Sequence, residues 1–528
     1  MISSEKGSQK DFLSKVKTFF ADFFDKIKFP PSVPVMTVGG VLLAMSILAV
    51  VLFSCSTCVS EDAPITPSAS GSAVSSSDAV SASDPVEWSG WTRTTVRFAT
   101  PVFSECDENS PVIGSLSSGD ETILIRTGGE LSQVRLGLDT GWIFTSALSP
   151  DTTLTDPLVT VPTDGSAYDI TDTKYGQELT ALCQKHGGRG IQIAIIENGR
   201  VAYTFQYGYA NTASRRPVTA DTKYRVASLS KVVLGISAMS MCDLGYIDLD
   251  TDVSEYLGKL TRNPRYEDTP ITLRHFLTHT SSMSNTLDHK NLMHVLHLYK
   301  SYTYNKPGDS GSYSYSNVGY RMAGTIIELG SDMTIAKFMK SYFAPLGMNA
   351  SYNVRQIEGD DFGLLYSSPS VTENPLERKV YYSSTPGDIK NYQHFAGSYV
   401  SSAKDFAKLL SILVNDGSYN GVYYMSPERV KEMETVYCSK SGFDQCITLR
   451  RKTDIYGGRE IYYHTGNSSG MLALASYVDN EKSGVVVLTS GAPQKLDENG
   501  LYKCCSRLTE YCYTQIIGSG LYEEVYSS

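Results

Sequence analysis

Ser228 and Lys231 stand three apart in YRVASLSKVVLGISAMSMCDLG, where apolar Val226, Leu229, Val233 and Ile236 predict a helix entering a core, with Ser228 near its first turn. That spacing puts both side chains on one helical face. A serine hydroxyl needs a base to become a nucleophile. A lysine in a poorly solvated place beside the positive end of a helix has its pKa pushed down, enough to accept that proton. The serine backbone N–H also points where an oxyanion would form. The pattern alone selects nothing, because Ser3/Lys6, Ser14/Lys17 and Ser401/Lys404 repeat it. Company does: Tyr315-Ser316-Asn317 and then His464-Thr465-Gly466 follow in order, each with a looser double at Tyr209-Ala210-Asn211 and His186-Gly187-Gly188.

The elements that must position these residues are strand-like at both ends of the large unit. Ile191–Ile196 and Val201–Phe205 flank the turn Glu197-Asn198-Gly199-Arg200 and predict a β-hairpin. Met471–Val478 and Ser483–Thr489 repeat that pattern around Asp479-Asn480-Glu481-Lys482. TKYGQELTALCQKHG reads as an opening helix and Gly500 to Ile517 as a final one. Strands at both ends with helices between predict one antiparallel sheet closed by the two ends of the unit. No repeat of the kind that builds solenoids or propellers is visible.

At 528 residues the chain is too long for one core, and 41% hydrophobic with 19% charged residues is a globular composition. A net charge of −10 excludes the basic surplus of a nucleic-acid binder. The 43 Gly and 35 Tyr point to a mixed α/β chain with many turns.

The uncharged run from Val35 to Phe53, at about 1.5 Å per residue, spans a bilayer core and marks a transmembrane helix at residues 33–55. Residues 1–32 carry Lys6, Lys10, Lys15, Lys17, Lys26 and Lys28, whereas no Lys or Arg lies between Ser54 and Thr92. The positive-inside bias makes 1–32 a cytoplasmic tail and places the remainder outside the cell membrane. Leu52-Phe53-Ser54-Cys55 resembles a lipoprotein lipobox, with an atypical Phe and a long leader, so a lipid anchor is the competing reading. Residues 56–87 read as a Ser-rich stalk, 88–150 as a small all-β unit, 151–169 as a linker and 170–528 as the large unit. The small unit resembles the bacterial SH3-like barrel in its Val96-Arg97 entry, Gly119-Asp120 turn and closing Gly141-Trp142-Ile143. In that family the module often binds wall peptides or glycans; a passive spacer is the competing reading, and the sequence names no ligand residue.

The large unit resembles the serine β-lactamase and penicillin-binding-protein superfamily, in its class C-like, D-alanyl-D-alanine carboxypeptidase-like branch. The resembling text is YRVASLSKVVLGISAMSMCDLGYIDLDTDVSEYL, ITLRHFLTHTSSM, KPGDSGSYSYSNVGYRMAGTIIELG with APLGM, AGSYVSSAKDFAKLLSILVNDG and YYHTGNSSGMLALASYVD, in the family's order. The resemblance implies an α/β domain, an antiparallel sheet flanked by helices with a helical subdomain. It makes Ser228 the acylated nucleophile, Lys231 its base or proton relay, Tyr315 the phenol sharing proton transfer, and Asn317 the amide orienting substrate and lysine. His464, Thr465 and Gly466 fall on the wall strand that pairs with substrate, and the Asn467 N–H is the second oxyanion donor. It implies acyl transfer through a serine ester, with no cofactor and no metal.

Two departures matter. His464 stands where efficient β-lactamases have Lys, so a permanent cation for a substrate carboxylate is missing and drug hydrolysis becomes the weaker reading. With a reference pKa near 6.5, His464 predicts an ester activity that changes between about pH 5.5 and 7.5. In Thr280-Ser281-Ser282, relatives usually have Gly at the third place, and Ser is tolerated if the backbone there is not left-handed.

His275, His279, His289, His294 and His297 resemble a metal cluster only on paper, since no H-E-x-x-H pattern or interspersed Cys accompanies them. Of ten cysteines, Cys438 and Cys446 could close a hairpin, and the resemblance places Cys183 and Cys512 on helices that pack together; the pairing stays open. The resulting expectation is a membrane-anchored extracytoplasmic serine hydrolase acting on D-alanyl amides or esters of cell-wall polymers. The alternatives are a β-lactamase and a non-hydrolytic wall-binding or penicillin-sensing receptor. The oligomeric state stays open.

Overall fold

The computed structural model describes residues 92–149 and 167–526, apart from 129, 137–138, 286–295, 297, 368–369 and 376–381. The expected tail, membrane helix and stalk, and all but the last residues of the linker, lie outside the described residues. Among the described residues, no helix is long and apolar enough to cross a membrane.

The small unit is a six-stranded antiparallel sheet of β1 (Thr92–Thr95), β2 (Thr100–Phe103), β3 (Val112–Leu116), β4 (Glu121–Gly128), β5 (Leu131–Leu136) and β6 (Asp139–Phe144). Its order is β1-β4-β5-β6-β2-β3. Val102, Leu124, Val134, Ile143 and Leu148 form one core cluster, and Phe103, Leu131 and Trp142 another. Within TTVRFATPVF the first strand ends at Thr95 and the next begins at Thr100. There Val96 donates its N–H to the Asp120 carbonyl and bridges Leu148, bringing the two ends of the unit together. β3 lies at the edge of this sheet. Four of its five residues are exposed at the sheet edge, so burial imposes no alternation on its sequence.

The large unit takes up the chain at residue 167, and Tyr168–Asp169, the end of the expected linker, pairs in parallel with Tyr203–Thr204. α1 (Lys174–His186) starts at Thr173, whose hydroxyl caps it, and stops at Gly187 in a left-handed conformation. The predicted hairpin is β7 (Gly190–Glu197) and β8 (Arg200–Asn211), turned by Asn198 and Gly199 with φ of 53° and 76°. β9 (Arg216–Pro217), β10 (Cys438–Lys440), β11 (Phe443–Gln445), β12 (Arg450–Ile455), β13 (Arg459–Ser468), β14 (Met471–Val478) and β15 (Ser483–Ser490) complete an antiparallel sheet. It is ordered β9-β8-β7-β15-β14-β13-β12-β11-β10. β7 pairs directly with β15, Ile196 opposite Gly484, so the two ends of the unit do close the sheet.

Alternation along these strands splits the interior in two. Ile191, Ile193, Ile195, Leu472, Leu474, Val485 and Val487 face α1 and the C-terminal helices. Ala194, Ile196, Ala473, Ala475, Val486 and Leu488 face a larger core that includes α2 (Ser230–Asp243), α3 (Asn317–Ser331) and α4 (Ala403–Val414). Both faces are covered, which makes an α/β domain with helices on either side of the sheet. The expected final helix is α5 (Lys503–Tyr511), which loosens into one π turn at Cys512–Ile516, and a further helix, α6 (Leu521–Tyr526), follows it.

Candidate active site

Ser228 lies in a tight turn, Ala227–Leu229, that leads into α2. Ala227 takes φ of 52°, a left-handed strain for a residue with a Cβ. The turn is held from behind: Val226 N–H donates to the Tyr399 carbonyl at 2.9 Å, and Ser230 Oγ donates to the Ala227 carbonyl at 2.6 Å. Ala227 and Leu229 are buried while Ser228 is half-exposed, so the hydroxyl is presented at a surface.

Lys231, in the first turn of α2, has no exposed surface. Its Nζ lies 3.1 Å from Ser228 Oγ, 2.9 Å from Asn317 Oδ1 and 2.7 Å from the Ala396 carbonyl. Burial, then the nearby Arg321 and Arg450 cations, hold its pKa well below the usual lysine range. Carbonyl oxygens only accept, so a neutral amine spends its two hydrogens on Asn317 and Ala396 and turns its lone pair to the serine O–H. The Tyr315 hydroxyl donates to Ser228 Oγ from the other side at 3.0 Å, and burial raises its pKa. One oxygen thus meets a base and an acid, which is what proton removal and return during acyl transfer require.

Asn317 is the first residue of α3, fixed by the Ser316 side chain that caps the helix. The Ala396 carbonyl comes from the loop after Phe395, whose ring lies so close to α3 that a Cβ at Gly324 would fall 2.1 Å from it. Gly466 does similar work on β13. A Cβ there would lie 2.8 Å from the Val226 carbonyl, so only glycine lets this strand close on the serine turn. Thr465 beside it is half-buried. Asn467 is exposed, and its side chain donates to Tyr502 Oη at 2.8 Å.

His464 is buried, with Nδ1 2.7 Å from the Thr465 carbonyl. A carbonyl only accepts, so Nδ1 carries the hydrogen and Nε2 is an acceptor. Burial, then Arg450 and Lys231, push its pKa well below 6.5. The expected window of about pH 5.5 to 7.5 is therefore too high, because it used a solvated histidine for a buried one.

A cation that the motifs did not mark also lies beside the site. Arg450 on β12, half-exposed and overlooked in the sequence, lies 5.6 Å over the Tyr315 ring and 4.3 Å over Phe443, and donates to Tyr313 Oη at 3.4 Å. Among the described residues it forms no ion pair with a carboxylate. Arg225 was missed as well. Its buried guanidinium binds the Glu373 carboxylate through two nitrogens, the Gly397 carbonyl at 2.7 Å, and Ser468 and Ser469 at 3.0 Å, so it ties three walls together.

Ser282 overturns the condition set for it. Its φ is 59°, so the backbone is left-handed, and its hydroxyl accepts from Asn263 Nδ2 at 3.1 Å as partial compensation. Of the histidines read together, Nδ1 of His275 caps its own helix and His279 packs on Tyr315; His289, His294 and His297 lie outside the described residues. Among the described residues, no group of three or more His, Cys, Asp or Glu is arranged to hold a metal. Cys438 and Cys446 are free thiols: Cys438 faces Gln445 across the hairpin, and Cys446 Sγ donates to the Glu434 carbonyl. Cys183 and Cys512 are buried thiols too.

Residues 176–502 match the family model described as Beta-lactamase, and the chain belongs to that family. That family includes serine β-lactamases and penicillin-binding proteins. Over 211 residues it is 29% identical to Penicillin-binding protein 4* of Bacillus subtilis, covering 36% of this chain and 45% of that protein. A Beta-lactamase of Yersinia enterocolitica is 27% identical over 181 residues, covering 33% and 45%. The chain therefore spans less than half the length of these relatives. Among solved structures, the octameric penicillin-binding protein homologue from Pyrococcus abyssi superimposes with a TM-score of 0.51 at 22% identity, over 64% of this chain and 76% of that one. A class C beta-lactamase mutant gives 0.50 at 18%, over 64% and 98%. At these identities the likeness is one of fold.

Proposed function

We propose that the chain is a membrane-anchored, extracytoplasmic serine hydrolase of the class C-like, D-alanyl-D-alanine carboxypeptidase-like kind, with an SH3-like module between stalk and enzyme. Ser228 attacks a D-alanyl amide or ester of a cell-wall polymer. Lys231 takes its proton, and Tyr315 returns a proton to the leaving group. The Ser228 and Asn467 N–H groups hold the oxyanion; Asn317, His464, Thr465 and Gly466 line and orient the acyl group. Water then releases it. The observation that carries this reading is the buried Lys231 amine and the Tyr315 hydroxyl meeting at Ser228 Oγ, 3.1 and 3.0 Å away.

Half-exposed Arg450 beside Tyr315, which forms no ion pair with a carboxylate among the described residues, supports a substrate that ends in a carboxylate, as a D-alanyl peptide does. The neutral His464 offers an acceptor in place of the lysine expected of an efficient β-lactamase. Full-length protein is incubated with a fluorescent penicillin and, separately, a fluorophosphonate, beside Ser228→Ala. Labelling that disappears in the variant and turns over supports the hydrolase. Persistent labelling over hours points to a penicillin sensor, and no labelling by either probe contradicts the proposal.

A further inference from the structure

His279 brackets Tyr315 from both sides in the chain. Its carbonyl accepts the Ser314 N–H at 2.9 Å, and its Nδ1 accepts the Ser316 N–H at 3.0 Å. Its ring also lies against the Tyr315 ring, with centroids 4.5 Å apart, and against Tyr320 at 4.9 Å. Two features of this residue cost stability. Its φ is 61°, left-handed for a β-substituted residue, and its Nε2 is buried without a hydrogen-bond partner among the described residues. An acceptor at Nδ1 fixes the neutral tautomer with hydrogen on Nε2, the nitrogen left unpartnered. Strain and an unsatisfied donor concentrated on one residue that grips the segment around Tyr315 are what a site held for function looks like.

We infer that His279 is a positioning residue for Tyr315, holding the phenol at Ser228 Oγ through the Ser314 and Ser316 N–H groups and through the ring stack. The inference rests on the proton-relay role proposed for Tyr315. The test compares full-length His279→Leu, which lacks both acceptor and ring, with His279→Asn, whose side-chain oxygen can accept the Ser316 N–H and which tolerates positive φ. On an ester substrate, well below the melting temperature of each variant, His279→Leu should lower kcat by about 10²-fold with KM nearly unchanged, and His279→Asn should recover about tenfold of the loss. A kcat for His279→Leu within about twofold of wild type, or no recovery by His279→Asn at equal stability, overturns the inference. Crystal structures keep this separable from the activity proposal. Should the wild type turn over no ester, a His279→Leu structure with the phenol moved by about 1 Å or more still supports the positioning role, and one with the phenol still 3.0 Å from Ser228 Oγ refutes it.

Discussion

Replacing Gly466 by Ala isolates the fit between the wall strand and the nucleophile turn. The new Cβ would stand 2.8 Å from the Val226 carbonyl, 3.1 Å from Ala473 Cβ and 3.5 Å from Ala227 Cβ. Carbon and carbonyl oxygen ordinarily approach no closer than about 3.3 Å, so β13 or the turn must give by about 0.5 Å. The carbonyl belongs to backbone that is itself held by Tyr399, so no flexible side-chain end can absorb the shift. About 0.5 Å is the tolerance within which a catalytic constellation must be held. If a displacement of about 1 Å costs on the order of 10²-fold, half of it should cost about tenfold in the acylation rate. The assay is stopped-flow acylation by a chromogenic ester or penicillin, with thermal melting in parallel and Gly484→Ala as a control on the same sheet. An acylation rate within about twofold of wild type, at an unchanged melting temperature, would refute the claim that this approach shapes the site.

Three further outcomes are expected. Lys231→Met, similar in volume and apolar, should keep the fold while lowering acylation on the order of 10²- to 10⁴-fold, read by burst kinetics and circular dichroism. Because burial holds Lys231 below its unfolded pKa, the unfolded chain binds more protons between the folded and unfolded values. Stability should therefore rise with pH across that window, and acylation should rise as pH passes upward through the folded value. His464, held low by burial, should add no step between about pH 5.5 and 7.5, so His464→Gln should leave the shape of the profile there unchanged. Arg450→Gln should lower kcat/KM by about 10- to 100-fold on a D-alanyl substrate with a free carboxylate and little on its methyl ester, as measured by steady-state hydrolysis.

Where a residue's identity imposed local geometry, the sequence was readable. Asn198-Gly199 allowed one kind of tight turn, and the hairpin followed; Ser228 and Lys231 met because three residues make most of a helical turn. Contacts made by generic groups were hidden. Ala396 serves through a carbonyl that every residue owns, and Arg450 is one of many arginines until β12 is laid beside β13. Burial was the other blind spot. Motif spacing put His464 on the wall strand but could not say that desolvation would lower its pKa, nor that Ser282 would occupy a left-handed backbone. Near-continuous apolar runs revealed the central strands, and β3, exposed at an edge, is held by no such burial.

The most direct test of the central claim is intact-protein mass spectrometry of the full chain quenched during turnover of a slowly deacylating penicillin or D-alanyl ester, followed by peptide mapping. A mass increase equal to the acyl group, located on Ser228, absent from Ser228→Ala and formed far more slowly in Lys231→Met, is the predicted result. An adduct on another residue, or turnover with no covalent intermediate under any quench, would contradict the account.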